Sequence, residues 1–209
     1  AGRTEIVEAI FGDIPKETGE IFFEGKKVDI KSTIDAKKLG IGYLPSDRKD
    51  AGLFLIHSVA QNISANVIPQ MLGKSGLFDY EKEGSVANHW IDSLRIKTPS
   101  KDTIVESLSG GNQQKVVIAK WLEANPKLLL LNEPTRGIDV GAKLEIYNLM
   151  NELTDQGISF VMISSELPEI MAMSDRIYVI HEGKLKGEVQ RENFSQERLL
   201  GIALEGGEE

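Results

Sequence analysis

Runs of apolar residues and helical stripes follow one another along this chain. The run Leu128–Leu131 lies between the Asn125-Pro126 pair and a polar turn, and this bounded pattern favours a buried parallel strand over a buried helix. A second apolar segment, Ile158–Ile163, predicts the next strand. Between Val116 and Leu122, apolar residues fill one face of a helix that ends at the proline. This alternation predicts an α/β fold.

A second helical stripe lies nearer the middle of the chain. Val86, Trp90 and Leu94 recur at four-residue spacing, which predicts a helix over 80–94 whose apolar face packs into a core. The pattern predicts further helices over Thr4–Phe11 and Ser195–Leu204 and from Gly141 onward, a β-hairpin over Thr18–Lys26, and strands within Asp175–Val189 around the Gly183 turn.

Composition narrows the class of protein. The 209 residues suit one domain, and 41% of them are hydrophobic, which is enough for a core. Without cysteine there is no disulfide framework and no cysteine-based metal site. We find no signal peptide and no apolar run near the roughly 18 residues of a membrane span, so we expect a soluble, cytosolic chain. The net charge of −8 argues against broad nucleic-acid binding.

The most informative segment is Leu108–Val116, which reads LSGGNQQKV and leads into the apolar-faced helix. Two glycines before a helix expose backbone N–H groups at its positive end, and this arrangement suits a phosphate. Ser109 adds a hydroxyl beside Gly110 and Gly111. For two glycines alone, an ordinary junction between a loop and a helix is the simpler interpretation.

The full string resembles the signature motif of ATP-binding cassette ATPases. Its Asn-Gln-Gln form is similar to the second cassette of the tandem ATPases that drive bacterial monosaccharide importers. The resemblance implies ATP and Mg²⁺ as cofactors. It also implies that this signature closes over the γ-phosphate of ATP held by the opposing cassette, through Ser109, Gly110, Gly111 and Gln113.

The polar turn after Leu131 matches the family's Walker B motif. An acidic pair is usual there, and it stands where open α/β sheets place ligands. The resemblance implies that Glu133 is the catalytic residue, with a solvated strand-end carboxylate as the alternative. Asn132 replaces the usual aspartate and loses its charge, so we expect weaker Mg²⁺ binding.

Two further positions follow from the resemblance. Asp139 matches the D-loop aspartate that contacts the opposite cassette, and it also suits an N-cap of the following helix. Ser165 stands where many cassettes carry a histidine that contacts the γ-phosphate. None of His57, His89 and His181 replaces it by sequence position, and we interpret all three as structural or solvated.

The start of the chain matches only the end of a phosphate loop. Gly2 fits the final glycine, Arg3 stands in place of lysine, and Thr4 fits the hydroxyl that binds Mg²⁺ together with Asn132. The preceding strands and the front of the loop are absent from this chain. Arginine keeps the charge, but its planar fork needs more room than an ammonium group. The second cassette of the importer family carries Gly-Arg-Thr-Glu at this point.

The segment 41–49 occupies the place of the family's Q-loop, which passes signals to the membrane subunit. Ser46 stands where most cassettes have glutamine. The sequence leaves Arg48 and Lys49 open between a solvated turn and a part of that signalling segment.

The fold implied by the resemblance is an α/β cassette core with a mostly parallel sheet, an antiparallel β part and a helical subdomain. We predict a single nucleotide-binding domain over 1–209, with the helical subdomain at about 63–100. In the family, the outer surface of that subdomain docks a coupling helix of the transporter, and Gln61–Gly76 would lie near it.

The departures from the family pattern share one property: all are at positions for this domain's own nucleotide, while the signature is intact. They are Arg3, Ser46, Asn132 and Ser165. The leading hypothesis is therefore the second cassette of a sugar importer with a degenerate own site. Its partners would be the first cassette of the same polypeptide, membrane permease subunits and, indirectly, a periplasmic sugar-binding protein, with no nucleic acid.

That hypothesis places the domain on the cytoplasmic face of the bacterial inner membrane. One alternative is a non-hydrolytic regulatory or scaffolding cassette that docks the permease. Another is a cassette ATPase of the translation or DNA-repair kind, which the acidic charge and the form of the signature disfavour.

Overall fold

A computed structural model describes residues 2–204 and confirms the predicted α/β class. The helices are α1 (Arg3–Phe11), α2 (Thr33–Leu39), α3 (Val59–Ser64), α4 (Tyr80–Ser93), α5 (Gly110–Leu122), α6 (Val140–Asp155), α7 (Leu167–Met173) and α8 (Gln196–Leu204). The strands are β1 (Ile21–Phe23), β2 (Lys26–Val28), β3 (Ile41–Leu44), β4 (Leu128–Asn132), β5 (Ser159–Ile163), β6 (Arg176–His181) and β7 (Lys184–Gln190).

The chain divides into two compact units. Among the described residues, the first comprises residues 2–36 and 162–204, and the second comprises residues 37–161. The single domain over 1–209 and the helical subdomain over 63–100 stay predictions. None of the helices within residues 2–204 has both the length and the apolarity that crossing a bilayer requires.

A parallel sheet forms the centre of the second unit. Strands β3 and β4 pair in register from Ile41 opposite Leu128 to Leu44 opposite Leu131, and β5 follows β4 in the strand order. All of β3 and the last four residues of β4 are buried. Burial on both faces explains why β4 reads as a continuous apolar run in the sequence.

Helix α5 packs closely against this sheet. Its apolar face is buried as predicted, with Val116, Val117 and Trp121 all at most 7% exposed. A Cβ atom on Gly42 of β3 would lie 2.6 Å from the Leu129 side chain and 2.9 Å from the Trp121 ring. The absence of a side chain at this strand position therefore permits the close approach of helix to sheet.

Helix α4 confirms the predicted helix over 80–94 to within one residue. Asp79 caps its start by accepting a hydrogen bond from the Lys82 amide at 2.9 Å. Of the predicted stripe, Leu94 is buried, while Val86 and Trp90 are half-buried. The helix is fully buried at Glu83, Gly84 and Ala87 instead, and the Glu83 carboxylate accepts a hydrogen bond from Ser64 of α3 at 2.6 Å.

The first unit holds the antiparallel part. The predicted hairpin near Thr18–Lys26 is β1 paired with β2, and the strands around Gly183 are β6 and β7. A small apolar cluster joins the second hairpin to α8 through Ile177, Val189 and Leu199. The helix predicted over Ser195–Leu204 is confirmed as α8.

Candidate functional site

The LSGG segment forms the start of α5 in the second unit. Ser109 is the N-cap residue in extended conformation, and its exposed hydroxyl accepts a hydrogen bond from the Asn112 side chain at 2.9 Å. Gly110 and Gly111 are the first two helical residues. The sequence placed the glycines before the helix, whereas the structure places them inside its first turn.

The chain's own atoms fill the space beside both glycines. A Cβ atom on Gly110 would lie 2.7 Å from Arg48 Nη2 and 3.0 Å from the Gly137 carbonyl oxygen. A Cβ atom on Gly111 would lie 2.6 Å from the Ala142 Cβ atom. These distances allow no side chain, so the glycines let the start of α5 pack against the loop before α6 and against α6 itself.

The first turn of α5 retains unpaired donors. Within residues 2–204, the amides of Gly110, Gly111 and Asn112 make no hydrogen bond. Unpaired amides at the positive end of a 13-residue helix suit an anion, and the Ser109 hydroxyl stands beside them. This end of α5 therefore fits a phosphate group.

Gln113 lies away from the exposed end of the helix. Its side chain is 3% exposed, and its amide nitrogen donates to the carbonyl oxygens of Val105 at 3.2 Å and Glu106 at 3.4 Å. Its side-chain oxygen is buried without a partner in the described part of the chain. The side chain packs beneath the first turn, and its predicted contact with nucleotide stays a prediction.

The end of β4 carries the two residues that the sequence analysis matches to a Walker B motif. Asn132 is 2% exposed, and its amide group lies 3.4 Å from the Tyr43 hydroxyl on the neighbouring strand. Glu133 is half-buried and has a φ of 50°, a left-handed conformation that non-glycine residues adopt at a cost. Backbone strain of this kind concentrates at functional sites, so the conformation of Glu133 agrees with a functional role.

Asp139 caps α6. Its carboxylate accepts a hydrogen bond from the Ala142 amide at 2.9 Å, and its carbonyl oxygen accepts one from Lys143 at 2.9 Å. The predicted N-cap is confirmed, and the side chain remains exposed. The predicted contact with an opposite cassette stays a prediction.

Arg48 lies in a five-residue π-helical turn, Arg48–Gly52, just after β3. Its guanidinium donates to the Arg136 carbonyl oxygen at 2.7 Å and to the Gly137 carbonyl oxygen at 3.2 Å, and burial lowers its pKa. Lys49 beside it is exposed. Of the two residues that the sequence left open, one is a structural contact and the other is solvated.

Ser46 is half-buried two residues before Arg48. Between them, the Asp47 carboxylate caps the turn by accepting hydrogen bonds from the Lys49 amide at 2.9 Å and the Asp50 amide at 3.2 Å. The amides of Asp50 and Lys49 hold the pKa of this carboxyl below its ordinary value. The turn that follows Ser46 is therefore locally well determined.

The first unit holds the remaining predicted positions. Arg3 at the start of α1 donates to the carbonyl oxygen of Ser164, in the same unit, at 3.2 Å. Ser165 is exposed, and Thr4 is half-buried. Gly2 has a φ of 92°, and a Cβ atom there would lie 3.0 Å from the Gly183 Cα atom.

The predicted Mg²⁺ ligands offer little charge. Thr4 supplies a hydroxyl, and Asn132 supplies a neutral amide that is already near Tyr43. Within residues 2–204, no three histidine, aspartate or glutamate side chains are close enough together to hold a metal ion. In most proteins Mg²⁺ keeps several waters and nucleotide phosphates as ligands, so few protein ligands are needed. The weaker Mg²⁺ binding expected from Asn132 stays a prediction.

The chain is similar to a known protein family and to several characterised relatives. Residues 1–136 match the family model described as ABC transporter. The ribose import ATP-binding protein RbsA of Bacillus licheniformis is 52% identical over 206 residues, which cover 99% of this chain and 42% of that protein. The xylose import ATP-binding protein XylG of Thermoanaerobacter pseudethanolicus is 51% identical over 207 residues, covering 99% and 41%. The chain thus spans about two fifths of the length of these relatives.

Solved structures share the fold. The ADP conformation of MJ1267, an ATP-binding cassette of an ABC transporter, superposes with a TM-score of 0.78 at 23% identity, covering 99% of this chain and 84% of that one. CbiO1 from Clostridium perfringens, part of the ABC transporter complex cbiONQ, gives a TM-score of 0.76 at 25% identity, covering 98% and 80%.

Proposed function

This chain belongs to the ABC transporter family, and from that premise we propose that it is a nucleotide-binding domain of a sugar importer. It would couple ATP binding and hydrolysis to monosaccharide uptake. The observation that carries this proposal is the identity of 52% to a ribose import protein and 51% to a xylose import protein along 99% of the chain.

We further propose that this domain is the second cassette of a two-cassette polypeptide. The relatives are more than twice as long as the aligned part, which leaves room for another cassette in each of them. The Asn-Gln-Gln form of the signature supports the same position. The first cassette of that polypeptide would then be the domain's direct partner.

In this proposal, the signature completes the ATP site of the first cassette. ATP, when bound there, supplies the γ-phosphate, whose hydrolysis drives the cycle. The Ser109 hydroxyl and the unpaired amides of Gly110 and Gly111 would donate hydrogen bonds to that phosphate from the positive end of α5. Asp139, exposed at the start of α6, would contact the first cassette beside it.

The domain's own nucleotide positions would be weaker. Arg3, Thr4, Ser46, Asn132 and Ser165 are proposed to hold nucleotide and Mg²⁺ less tightly than the usual family residues. The neutral, buried Asn132 supports this, because an amide cannot replace a carboxylate in attracting a divalent cation. Glu133 would orient and polarise the attacking water.

The remaining partners follow from the same proposal. Permease subunits would dock this domain at the cytoplasmic face of the inner membrane, and a periplasmic sugar-binding protein would deliver the substrate to them. The relatives named for ribose and xylose support a pentose as the cargo. Nucleic acid has no place in this cycle.

The second candidate is a non-hydrolytic cassette that only supplies the signature and the dock. The amide of Asn132 beside Tyr43 favours it, because the usual metal-binding carboxylate is lost. The two candidates differ in whether Glu133 takes part in hydrolysis.

Uptake in cells tests the proposal and separates the two candidates. We would measure labelled ribose and xylose uptake, and ATP hydrolysed per sugar, with the full-length protein carrying Glu133→Gln. If this domain hydrolyses ATP, both the uptake rate and the ATP consumed per cycle fall. Glu152→Gln, a substitution at an exposed position of α6, is the matched control. Unchanged ATP consumption would support the non-hydrolytic cassette, and absence of ribose and xylose uptake by the wild type would refute a pentose as the cargo.

A further inference from the structure

The π-helical turn Arg48–Gly52 is held at its first residue by a guanidinium contact. Arg48 Nη1 donates to the Arg136 carbonyl oxygen at 2.7 Å, and Nη2 donates to the Gly137 carbonyl oxygen at 3.2 Å. Both acceptors belong to the loop 133–139, which runs from Glu133 to Asp139. A planar guanidinium can serve two successive carbonyls at once, whereas a lysine ammonium is a single point of charge.

The same side chain lies against the signature. Arg48 Nη2 would be 2.7 Å from a Cβ atom on Gly110, so the guanidinium occupies the space beside the first helical residue of α5. Arg48 Nε is buried and has no partner among the described residues. A solvated turn residue would not give up hydration in this way, because an unpaired buried donor costs stability.

Gly52, at the other end of the turn, is hydrogen-bonded to α5. Lys120 of α5 is 8% exposed, and its ammonium donates to the Gly52 carbonyl oxygen. The ammonium also lies 6.0 Å from the centre of the Phe54 ring. The turn after β3 is therefore fixed to α5 at one end and to loop 133–139 at the other.

We propose that Arg48 is a positioning residue that holds loop 133–139 and the first turn of α5 in one fixed arrangement. This inference rests on the proposed function, because it assigns Arg48 a part in presenting the signature and Asp139 to the opposite cassette. Arg48 acts through those groups and does not contact nucleotide itself. The segment after β3, the loop before α6 and the signature then move as one body.

Kinetics of the full-length protein test this role. Arg48→Met should lower kcat for ATP hydrolysis roughly ten- to a hundredfold, because small displacements of groups needed only in the closed state are costly. KM for ATP should change less than about twofold, because the groups affected do not hold ATP before closure. Arg48→Lys should give an intermediate kcat, since the ammonium group keeps the charge but lacks the planar fork that reaches both carbonyl oxygens. Lys49→Met, at the exposed neighbour, is the matched control and should match the wild type.

Hydrogen exchange of the nucleotide-free protein provides a readout that does not depend on turnover. Arg48→Met should speed exchange in residues 133–139 and in the first turn of α5, while α4 keeps its wild-type rate. Unchanged exchange in both segments would overturn the inference, as would a raised KM with unchanged kcat or a kcat for Arg48→Lys equal to the wild type. If Arg48→Met fails to fold, the Arg48→Lys comparison decides.

The inference and the proposed function fail differently. If Ser109→Arg abolishes ATP hydrolysis while Arg48→Met does not lower it, only the role of Arg48 is refuted. If Ser109→Arg leaves hydrolysis intact, the use of the signature by the opposite cassette is refuted, and the role of Arg48 in presenting it is refuted as well.

Discussion

At the scale of single residues, the two signature glycines have a steric requirement of their own. Gly110 faces Arg48 and the Gly137 carbonyl, and Gly111 faces Ala142, each at a distance that excludes a Cβ atom. In an ordinary helix, alanine is preferred to glycine by about 1 kcal/mol. At these positions the close contacts outweigh that preference, so the two effects can be separated by substitution.

Gly111→Ala should lower the free energy of unfolding by about 1–3 kcal/mol, because the added methyl group forces α5 and α6 apart. Gly201→Ala in α8 is the matched control, since a Cβ atom there meets nothing within 4 Å. It should raise stability by up to about 1 kcal/mol. Denaturant unfolding of both variants measures the difference. Equal effects of the two substitutions would contradict the steric account.

Lys120 gives the protein a pH-dependent stability. Burial lowers the pKa of this lysine from 10.5 to about 8. Between these values the unfolded chain holds the proton and the folded chain releases it, so folding becomes more favourable as pH rises. The cost of burying the charged form is complete below pH 8 and is relieved above it.

The measurement is the free energy of unfolding of the wild type and of Lys120→Met at pH 7.5 and pH 9.5. From pH 7.5 to pH 9.5, the free energy of unfolding of the wild type should rise relative to that of Lys120→Met by up to about 2 kcal/mol. Lys49→Met, at an exposed position, should show no such change relative to the wild type. A constant difference between wild type and Lys120→Met would show that Lys120 does not titrate there.

At the scale of elements, α6 begins at a residue with two assigned roles. The Asp139 carboxylate caps the helix through the Ala142 amide, and the same exposed carboxylate is proposed to contact the opposite cassette. Asparagine caps a helix about as well as aspartate but carries no charge. The pair of substitutions to Ala and to Asn therefore separates the two roles.

Asp139→Ala should destabilise the protein by about 1 kcal/mol through loss of the cap, and Asp139→Asn by less than half of that. Both should lower ATP turnover of the full-length protein if the charge is needed at the cassette interface. Thermal unfolding and steady-state ATPase activity measure the two effects. Full turnover by Asp139→Asn would restrict Asp139 to its capping role.

The regular elements that the sequence predicted correctly have local signals. Neighbouring residues alone favour one structure in each of three segments: the apolar run of β4, the stripe of α5 and the turn at Gly183. The burial of α4 was less well predicted. Its small residues Gly84 and Ala87 are buried more deeply than the larger Val86 and Trp90, and a search for large apolar side chains misses them.

The candidate site was predictable only in part. Motif order located the ends of α5 and β4, but it gave no signal that Arg48 crosses to loop 133–139 or that Gln113 turns inward. Arg48 contacts a segment that is distant in sequence, and Gln113 packs beneath a helix turn. Neither an arginine nor a glutamine side chain has to make such a contact. Nor does the sequence indicate the left-handed conformation of Glu133, because a glutamate side chain does not favour a positive φ.

At the scale of the whole molecule, the chain presents one well-formed feature and several weakened ones. The start of α5 has unpaired amides and an exposed serine, and Arg48 and Ala142 pack against its two glycines. The positions proposed to hold this domain's own nucleotide instead carry a neutral Asn132 and other departures from the family pattern. In the account proposed here, the domain serves chiefly to complete the ATP site of the first cassette.

The most direct test of that claim is the steady-state ATPase activity of the full-length protein carrying Ser109→Arg. The bulky cation at the exposed N-cap should block closure over the γ-phosphate held by the first cassette. Ser85→Arg, on an exposed position of α4, is the control for adding an arginine. Completion of the first cassette's ATP site by this domain predicts a collapse of activity for Ser109→Arg and near-normal activity for Ser85→Arg. Near-normal activity for both would contradict it, because catalysis would then not depend on this signature.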